Sequence, residues 1–553
     1  MALLKLLSSI GLYDSFLIFL TLIIVYTCYF YYKYFTRENP LPGPLPLPLI
    51  GNIIDRGFDE FVEYTDRMQK KYGDMFEIYF GPQRMIMLSK YEYMQNMFDY
   101  SLDSKYMRRI PYFAGLDELN VAGKGIALNH NVNVWKFNRH FISRALLTPS
   151  FSKYSVIWTQ NLVEEMMDFW KDGAEDDGSF VTNIVEWAHR FTTDSITHFT
   201  TGIRVHAIEA HYNELLSSRN KKPKKSTNDI TDATKFFRSI KTFVVGIYFF
   251  IIVPPFIRNY FPFLSNESKK HFQNRNWLFS KLDDLIKHRR KEIEHTPLNQ
   301  PLRFDMLTSM LTAYTDRDIC EVKYYDEEYT NRPLTDEEIR GNLWETFVAG
   351  IDTTANLFTF VVYFLANYPN VLQKLRKELD VFFEKLGDRR LDFDCLSELV
   401  YTEAILKEIF RIYTPAPYTA RNSTAEDIVA GQVWPEGTQY IINIHGINNN
   451  EKYWDEPEKF NPDRWLKKNK KSDKLMPRVV FGGGRRVCPG RKLSYIELKC
   501  MVALIYHKLD VELVDKNTPL KTKFILIRSF PELNVRIKPR QIVNEFFKKS
   551  YIH

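Results

Sequence analysis

The sequence predicts a mainly α protein with small β-sheets, one large domain set behind a single N-terminal transmembrane helix. Three observations carry this. Apolar residues recur three and four apart through most of the chain, as in residues 358–365 and 371–383, the spacing of one helix face. Strand patterns are few and short. Residues 15–32 form an uncharged apolar run bracketed by Asp14 and Lys33, long enough to cross a bilayer as a helix.

The apolar run opens an anchor over residues 1–36. No small-x-small cleavage site follows it, and Tyr29, Phe30, Tyr31, Tyr32, Tyr34 and Phe35 crowd its end. Such rings suit the membrane–water interface, so the segment reads as an uncleaved anchor and not a signal peptide. Lys33 and Arg37 after the run, against Lys5 and the α-amine before it, lean toward a cytoplasmic body. Residues 37–52 carry Pro40, Pro42, Pro44, Pro46 and Pro48, and prolines at alternate positions make a stiff, extended hinge. Residues 53–553 then form the large domain. At 45% apolar content it can bury a large core, and no Pro/Gly/Ser linker divides it.

Within that domain, residues 85–88 read as a strand after Gly81-Pro82. Residues 432–434 and 440–444 flank the turn at Pro435 to Thr438 and read as a hairpin. The basic stretch 219–226 reads as a solvated loop. The apolar run 243–253, ended by Pro254-Pro255, is too short to span; a buried helix and a patch dipping into a membrane surface both fit it. The net charge of +7 is small for 553 residues, and no zinc-finger spacing or basic heptad helix is present, which argues against nucleic-acid binding. The five cysteines, Cys28, Cys320, Cys395, Cys488 and Cys500, show no C-x-x-C spacing. A disulfide framework is therefore not expected, and Cys488 is free to act as a thiolate.

Chemistry concentrates in residues 481–490, Phe-Gly-Gly-Gly-Arg-Arg-Val-Cys-Pro-Gly. Glycines let a loop approach a bulky flat ligand, and arginines supply fixed positive charge for its acid groups. The helical pattern that follows points amide N–H groups and positive dipole at Cys488, favouring thiolate. Phe481, Gly484, Arg486, Cys488 and Gly490 fill the pattern F-x-x-G-x-R-x-C-x-G. In this the chain resembles a cytochrome P-450, a haem-thiolate monooxygenase, of the membrane-anchored eukaryotic microsomal type.

Four further motifs stand in the order and spacing of that family, and the resemblance covers about residues 40–540. Ala349-Gly-Ile-Asp-Thr-Thr354 lies in an apolar helical stretch. Glycine and hydroxyl residues there permit a kink, and an acid beside a hydroxyl can relay protons; the resemblance implies that Asp352 and Thr353 do so. Glu408 and Arg411 share a helix face, and Arg464 lies in Phe460-Asn-Pro-Asp-Arg-Trp465. The resemblance makes these three a buried structural cluster that supports the cysteine loop. Trp135 and Arg139, four apart, can each donate to a haem propionate, as the resemblance also implies for Arg486 and Arg421. The chain departs from the family where a His-Arg pair is common before a Trp matching Trp454: Asn448-Asn449 stands there, with His445 upstream. That departure puts a local surface contact in doubt.

The resemblance implies haem b with Cys488 as axial thiolate, shielded by Phe481, and insertion of one oxygen atom from O2 into a lipophilic substrate. No flavin or nicotinamide domain is fused to the chain. Electrons are expected from an NADPH-cytochrome P-450 reductase, with cytochrome b5 as an optional second donor. Lys467, Lys468, Lys470, Lys471, Lys474, Arg478, Arg485, Arg491 and Lys492 crowd the cysteine loop in sequence, joined by Lys136 and Arg144, and such a face would steer an acidic partner. By resemblance the pocket walls are residues 106–121, 347–353, 413–420 and 524–527, and the location is the endoplasmic reticulum membrane, single-pass, with the catalytic domain cytoplasmic. A reductant-independent haem-thiolate lyase or isomerase, and a non-catalytic haem sensor, are the alternatives; Asp352 and Thr353 argue against both.

Overall fold

The computed structural model describes residues 11–57, 60–101, 104–109, 113–219, 222, 230–320, 332–466, 479–517 and 519–541. Helix α1 (Leu12–Phe35) is about 36 Å long at 1.5 Å per residue. Phe16, Leu22 and Val25 on it are each more than half exposed, as a helix surrounded by lipid requires. Only its end meets the body: the Phe30 and Tyr34 rings lie edge-on to Tyr79 at 6.4 and 5.8 Å. The hinge is tied down at once. Arg37 and Arg84 both pair with buried Glu77 at 2.7 Å, and Arg84 donates to the carbonyls of Glu38 and Asn39.

Glu77 belongs to the larger sheet. Its strands are β1 (Met75–Phe80), β2 (Gln83–Leu88), β3 (Tyr418–Asn422) and β4 (Gln439–Asn443), in the order β1-β2-β4-β3. The β2–β4 pair is parallel and the others antiparallel. The strand expected at 85–88 is β2. The hairpin expected around Pro435 to Thr438 does not form, although both strands exist. Gln432–Trp434 pairs instead with Asp427–Val429, because Ala430 and Gly431 take φ of +54° and +79°, the tight turn a two-residue hairpin needs. The Pro435 turn carries the chain between sheets, with Gly437 and Thr438 N–H groups donating to Ser423.

Helices fill the rest: α2 (Val132–Leu146), α3 (Pro149–Asp172), α4 (Ile184–Thr201), α5 (Asp336–Asn367), α6 (Val400–Ile412) and α7 (Arg491–Lys508) position the site. Side-chain oxygens cap several N-termini. Asn131 accepts from Asn133 and Val134 at the start of α2, and Thr148 from Phe151 at the start of α3. Thr335 and Glu338 form a reciprocal box at the start of α5.

Helix α5 is apolar and long enough to span a membrane, but 67% of its apolar window is buried inside the protein. It threads two apolar clusters. Ile339, Leu343, Phe347 and Ile351 belong to one; Ala355, Phe358, Val361 and Leu365 belong to the other. Each fully buried Leu, Ile or Phe contributes roughly 1.5–3 kcal/mol, so α5 is the axis on which both cores depend. The handover falls at Asp352 to Thr354. Helix α5 keeps its helical hydrogen-bond pattern through Gly350. The run 243–253 lies mostly in the helix Ile230–Ile252. There Phe243, Ile247 and Phe250 are buried while Val245 faces out, which is the pattern of a core helix.

Candidate functional site

The cysteine loop is shaped by its glycines. Gly484 takes φ of +64°, and a Cβ there would lie 2.3 Å from the Asp99 carbonyl oxygen; only glycine fits both demands. Gly483 lies under Phe98, where a Cβ would be 2.5 Å from that side chain. The loop closes when the Cys488 N–H donates to the Phe481 carbonyl at 2.9 Å. The Phe481 ring packs on Phe410 and Tyr495 at 5.1 and 5.8 Å. Helix α7 begins three residues beyond Cys488. Burial pushes the Cys488 thiol up, and the Gly490 and Arg491 amides with the Arg109 and Arg139 guanidiniums pull it back, so the helix start faces the sulfur as expected.

Four arginines converge beside it. Arg486 is 4% exposed. It donates to the carbonyls of Met107, Ile126 and Asn129, with its guanidinium 4.0 Å from the Trp135 ring centre. Arg421 is 1% exposed, and two of its buried nitrogens, Nε and Nη2, have no hydrogen-bond partner. Arg109 donates to the Arg486 carbonyl at 2.8 Å while its buried Nε is unpartnered. Burial lowers the pKa of Arg109, Arg139, Arg421 and Arg486. Arg109 and Arg421, and Arg139 with them, repel Arg486 further, and Arg109 repels Arg139 and Arg421. Among the described residues none of the four has a carboxylate within ion-pair distance. Clustered buried cations with orphaned donors cost several kcal/mol each unless anions complete them. The two propionates of haem b would do so, and the flat glycine loop suits the ring, so the residues fit the group. Arg109 was missed in the sequence; it belongs to none of the motifs, and only the fold brings it to Arg486.

On α5, the Thr353 hydroxyl donates to the Ala349 carbonyl at 2.7 Å. Asp352 lies 3.4 Å from His189 on α4. Helix α4 presses on α5 at Gly350, where a Cβ would lie 2.7 Å from Ile196, and the Thr192 hydroxyl donates to the Ile351 carbonyl at 2.9 Å. One turn earlier, Glu345 is 3% exposed and accepts the N–H groups of Ile126, Ala127 and Leu128 at 2.5, 2.6 and 3.0 Å. Burial raises its pKa to about 7 despite those bonds and the Arg486 charge. Residues 126–129 are thus held by Glu345 on one side and by Arg486, through carbonyls, on the other. The available sequence signal for Glu345 was a carboxylate set between the apolar positions Trp344 and Phe347 of α5.

The cluster expected at Glu408 is present and buried. Arg411 donates twice to it at 2.8 and 3.0 Å, Arg464 donates at 3.0 Å and the Trp465 indole at 2.9 Å. Arg411 also donates to the Asn448 carbonyl at 2.9 Å, and the Asn448 amide donates to Thr414 at 3.1 Å. The departure at Asn448 is therefore a buried contact wired into this cluster, not a surface one. The basic face needs a further correction. Arg144 is buried in an ion pair with Asp318 at 2.6 Å. Arg485, Arg491 and Lys492 are partly exposed, and Lys467, Lys468, Lys470, Lys471, Lys474 and Arg478 lie outside the described residues, as does most of the 219–226 loop. Three expected pocket walls meet in one apolar cluster: Leu116, Leu119, Val121, Phe347, Ile351 and, at the tip of a strand pair, Leu526. In the fourth, Tyr413 stacks on Phe360 at 4.8 Å, so it fills the core.

Comparison with known proteins gives the class. The family model described as "Cytochrome P450" matches residues 41–536. "Cytochrome P450 3A14" of Cavia porcellus is 25% identical over 500 residues, covering 87% of this chain and 88% of its own. A "Bifunctional cytochrome P450/NADPH--P450 reductase" of Gibberella moniliformis is 26% identical over 482 residues, which are 86% of this chain and 38% of that longer protein. The crystal structure of the cytochrome P450DA heme domain superposes with a TM-score of 0.72 at 19% identity, covering 91% of this chain and 98% of its own. The chain belongs to the cytochrome P-450 family. It is a haem-thiolate monooxygenase, an oxidoreductase that carries haem b on a cysteine thiolate and draws electrons from a redox partner.

Proposed function

We propose that this enzyme inserts one oxygen atom from O2 into a lipophilic organic substrate at the membrane of the endoplasmic reticulum, using electrons from an NADPH-dependent reductase. When bound, haem would supply oxygen activation, which a thiolate ligand promotes by electron donation. Cys488 is that thiolate, and the α7 amides and Phe481 hold and shield its sulfur. Trp135, Arg139, Arg421 and Arg486, joined by Arg109, would hold the propionates. Asp352 and Thr353 move protons toward the site from the opposite helix. Glu408, Arg411 and Arg464 brace the segment before the loop and take no part in proton transfer. The single observation that carries this reading is the convergence of a half-buried cysteine with four arginines that have no carboxylate within ion-pair distance among the described residues.

The apolar cluster around Phe347 and Leu526 supports a lipophilic substrate. Exposed α1, which meets Tyr79 at its end, and the Arg37–Glu77 pair just beyond it support a division into anchor 1–36, hinge 37–52 and catalytic domain 53–553. Phe256, Tyr260, Phe261 and Phe263, each more than half exposed, support a membrane-facing body, and Lys33 and Arg37 lean toward its cytoplasmic side. The fused reductase named in the Gibberella moniliformis relative supports an NADPH reductase as donor, with cytochrome b5 as an optional second. The test is turnover of lipophilic compounds, first screened by the spin-state change they cause, with NADPH, reductase and O2. Product only in the complete mixture supports the proposal. Conversion of a hydroperoxide without reductant, and of nothing else with it, contradicts it.

A further inference from the structure

We propose that Glu345 is a positioning residue for the haem: through one peptide unit of loop 126–129 it aims Arg486, and so sets how firmly the propionate end of the cofactor is held. The inference deepens the monooxygenase reading and rests on its assignment of Arg486 to a propionate.

Hydrogen bonds connect the two side chains through the loop. Glu345 Oε2 accepts the N–H groups of Ile126 and Ala127 at 2.5 and 2.6 Å, and Oε1 accepts that of Leu128 at 3.0 Å. The Ala127 N–H and the Ile126 carbonyl belong to the same peptide unit, and that carbonyl accepts from Arg486 Nη1 at 2.9 Å. One peptide dipole is therefore held between a carboxylate at its N–H end and a guanidinium at its C=O end. Hydrogen bonds in series strengthen one another in a low-dielectric interior. Arg486 donates twice more, from Nη2 to the Asn129 carbonyl at 3.2 Å and from Nε to the Met107 carbonyl at 2.8 Å. The remaining N–H on each Nη is left for an anion, and its direction is fixed by the loop carbonyls. The loop is pinned from within as well, where the Asn129 amide donates to the carbonyls of Gly123 and Gly125 at 3.3 and 2.9 Å. Glycine at 125 lets the carboxylate in, since a Cβ there would lie 2.2 Å from Glu345 Oε2.

This arrangement suits a carboxylate and not a carboxylic acid. A proton on either oxygen would face an N–H group, so the acid form gives up at least one of the three bonds. Glutamine at this position is a fixed copy of that acid form, because its amide oxygen accepts and its NH2 does not. Burial raises the Glu345 pKa to about 7 against the three N–H groups and Arg486, and the Glu345 charge acts on Arg109 in turn. Arg486 in the cysteine loop and Arg109 in the segment 104–109 are the charges that face it. Lys124, on its own loop, is paired with Glu337 at 2.6 Å. Helix α2 meets α5 nearby through the uncharged pair Asn138 and Asn342 at 2.6 Å. The grip on the loop is therefore complete above about pH 7 and loosens as pH falls through that value.

The test is haem release from the ferric, full-length holoenzyme to excess apomyoglobin, followed by absorbance at pH values on both sides of about 7. On the alkaline side Glu345→Ala should release haem roughly ten-fold faster than wild type or more, the usual scale for losing a group that orients a ligand, with Glu345→Gln in between. The ratio of the Glu345→Gln rate to the wild-type rate should shrink toward one on the acid side, as wild type takes the acid form. Because Glu345 acts through Arg486, Glu345→Ala should add little to the effect of Arg486→Gln. Wild-type release rates in both Glu345 variants, a Glu345→Gln ratio that ignores pH, or full additivity with Arg486→Gln overturns the proposal. Should Glu345→Ala yield no holoenzyme, the pH course of Glu345→Gln decides. If Arg486→Gln itself releases haem at the wild-type rate, the propionate assignment fails and takes this proposal with it.

Discussion

Cys488, Asp352 and Thr353 stand out in the sequence because their neighbours fill fixed local patterns. Arg109 and Glu345 do not, because each contacts a partner distant in the chain and no local spacing announces it. Buried carboxyls give one test at this scale. Glu497 on α7 accepts from Ser195 on α4 at 2.5 Å and bonds Thr354 on α5; burial outweighs both and raises its pKa to about 7. A raised carboxyl contributes stability that is full below its unfolded value, about 4.3, and is lost as pH rises through the folded value. Glu497→Gln should therefore gain stability relative to wild type between pH 5 and pH 8 by on the order of 3 kcal/mol at most, read from chemical unfolding at each pH. Removing Glu345 should act on the loop instead. Glu345→Ala leaves three N–H groups without an acceptor and frees residues 126–129, so haem content after purification should fall while Glu345→Gln retains more.

Helix α5 shows what an element adds to its residues. Its helical periodicity was readable, but its place between two cores was not, since apolar content is the same whichever cluster a residue joins. The handover at residues 352–354 puts polar side chains where neither core needs apolar ones. The expected hairpin fails for a related reason: Pro435 marks a turn, yet the sequence does not say which strands a turn joins, and Ala430-Gly431 makes the tighter one. The cysteine loop offers a sharp element-scale prediction. Gly484→Ala would place a Cβ 2.3 Å from the Asp99 carbonyl in a left-handed backbone. Loss of most bound haem is expected, by pyridine haemochrome assay, whereas Gly387→Ala, whose Cβ would have no neighbour within 4 Å, should keep it.

For the whole molecule, the exposed α1 and the Glu77 clasp separate anchoring from chemistry. A chain lacking residues 1–36 should leave the high-speed membrane pellet at least in part and keep its spectrum, and the full chain should resist extraction by salt. If the proposed reductase docks through the basic residues near the cysteine loop, electron transfer should fall as ionic strength rises above about 0.15 M, where charges more than about 8 Å apart are screened. The central claim is that Cys488 holds haem iron as a thiolate. The most direct measurement is the reduced carbon monoxide difference spectrum of the wild-type chain and Cys488→Ser, made side by side. The account predicts the long-wavelength Soret band of thiolate-ligated haem in the wild type and its absence in Cys488→Ser. A wild type without that band, or a variant that keeps it, would contradict the account.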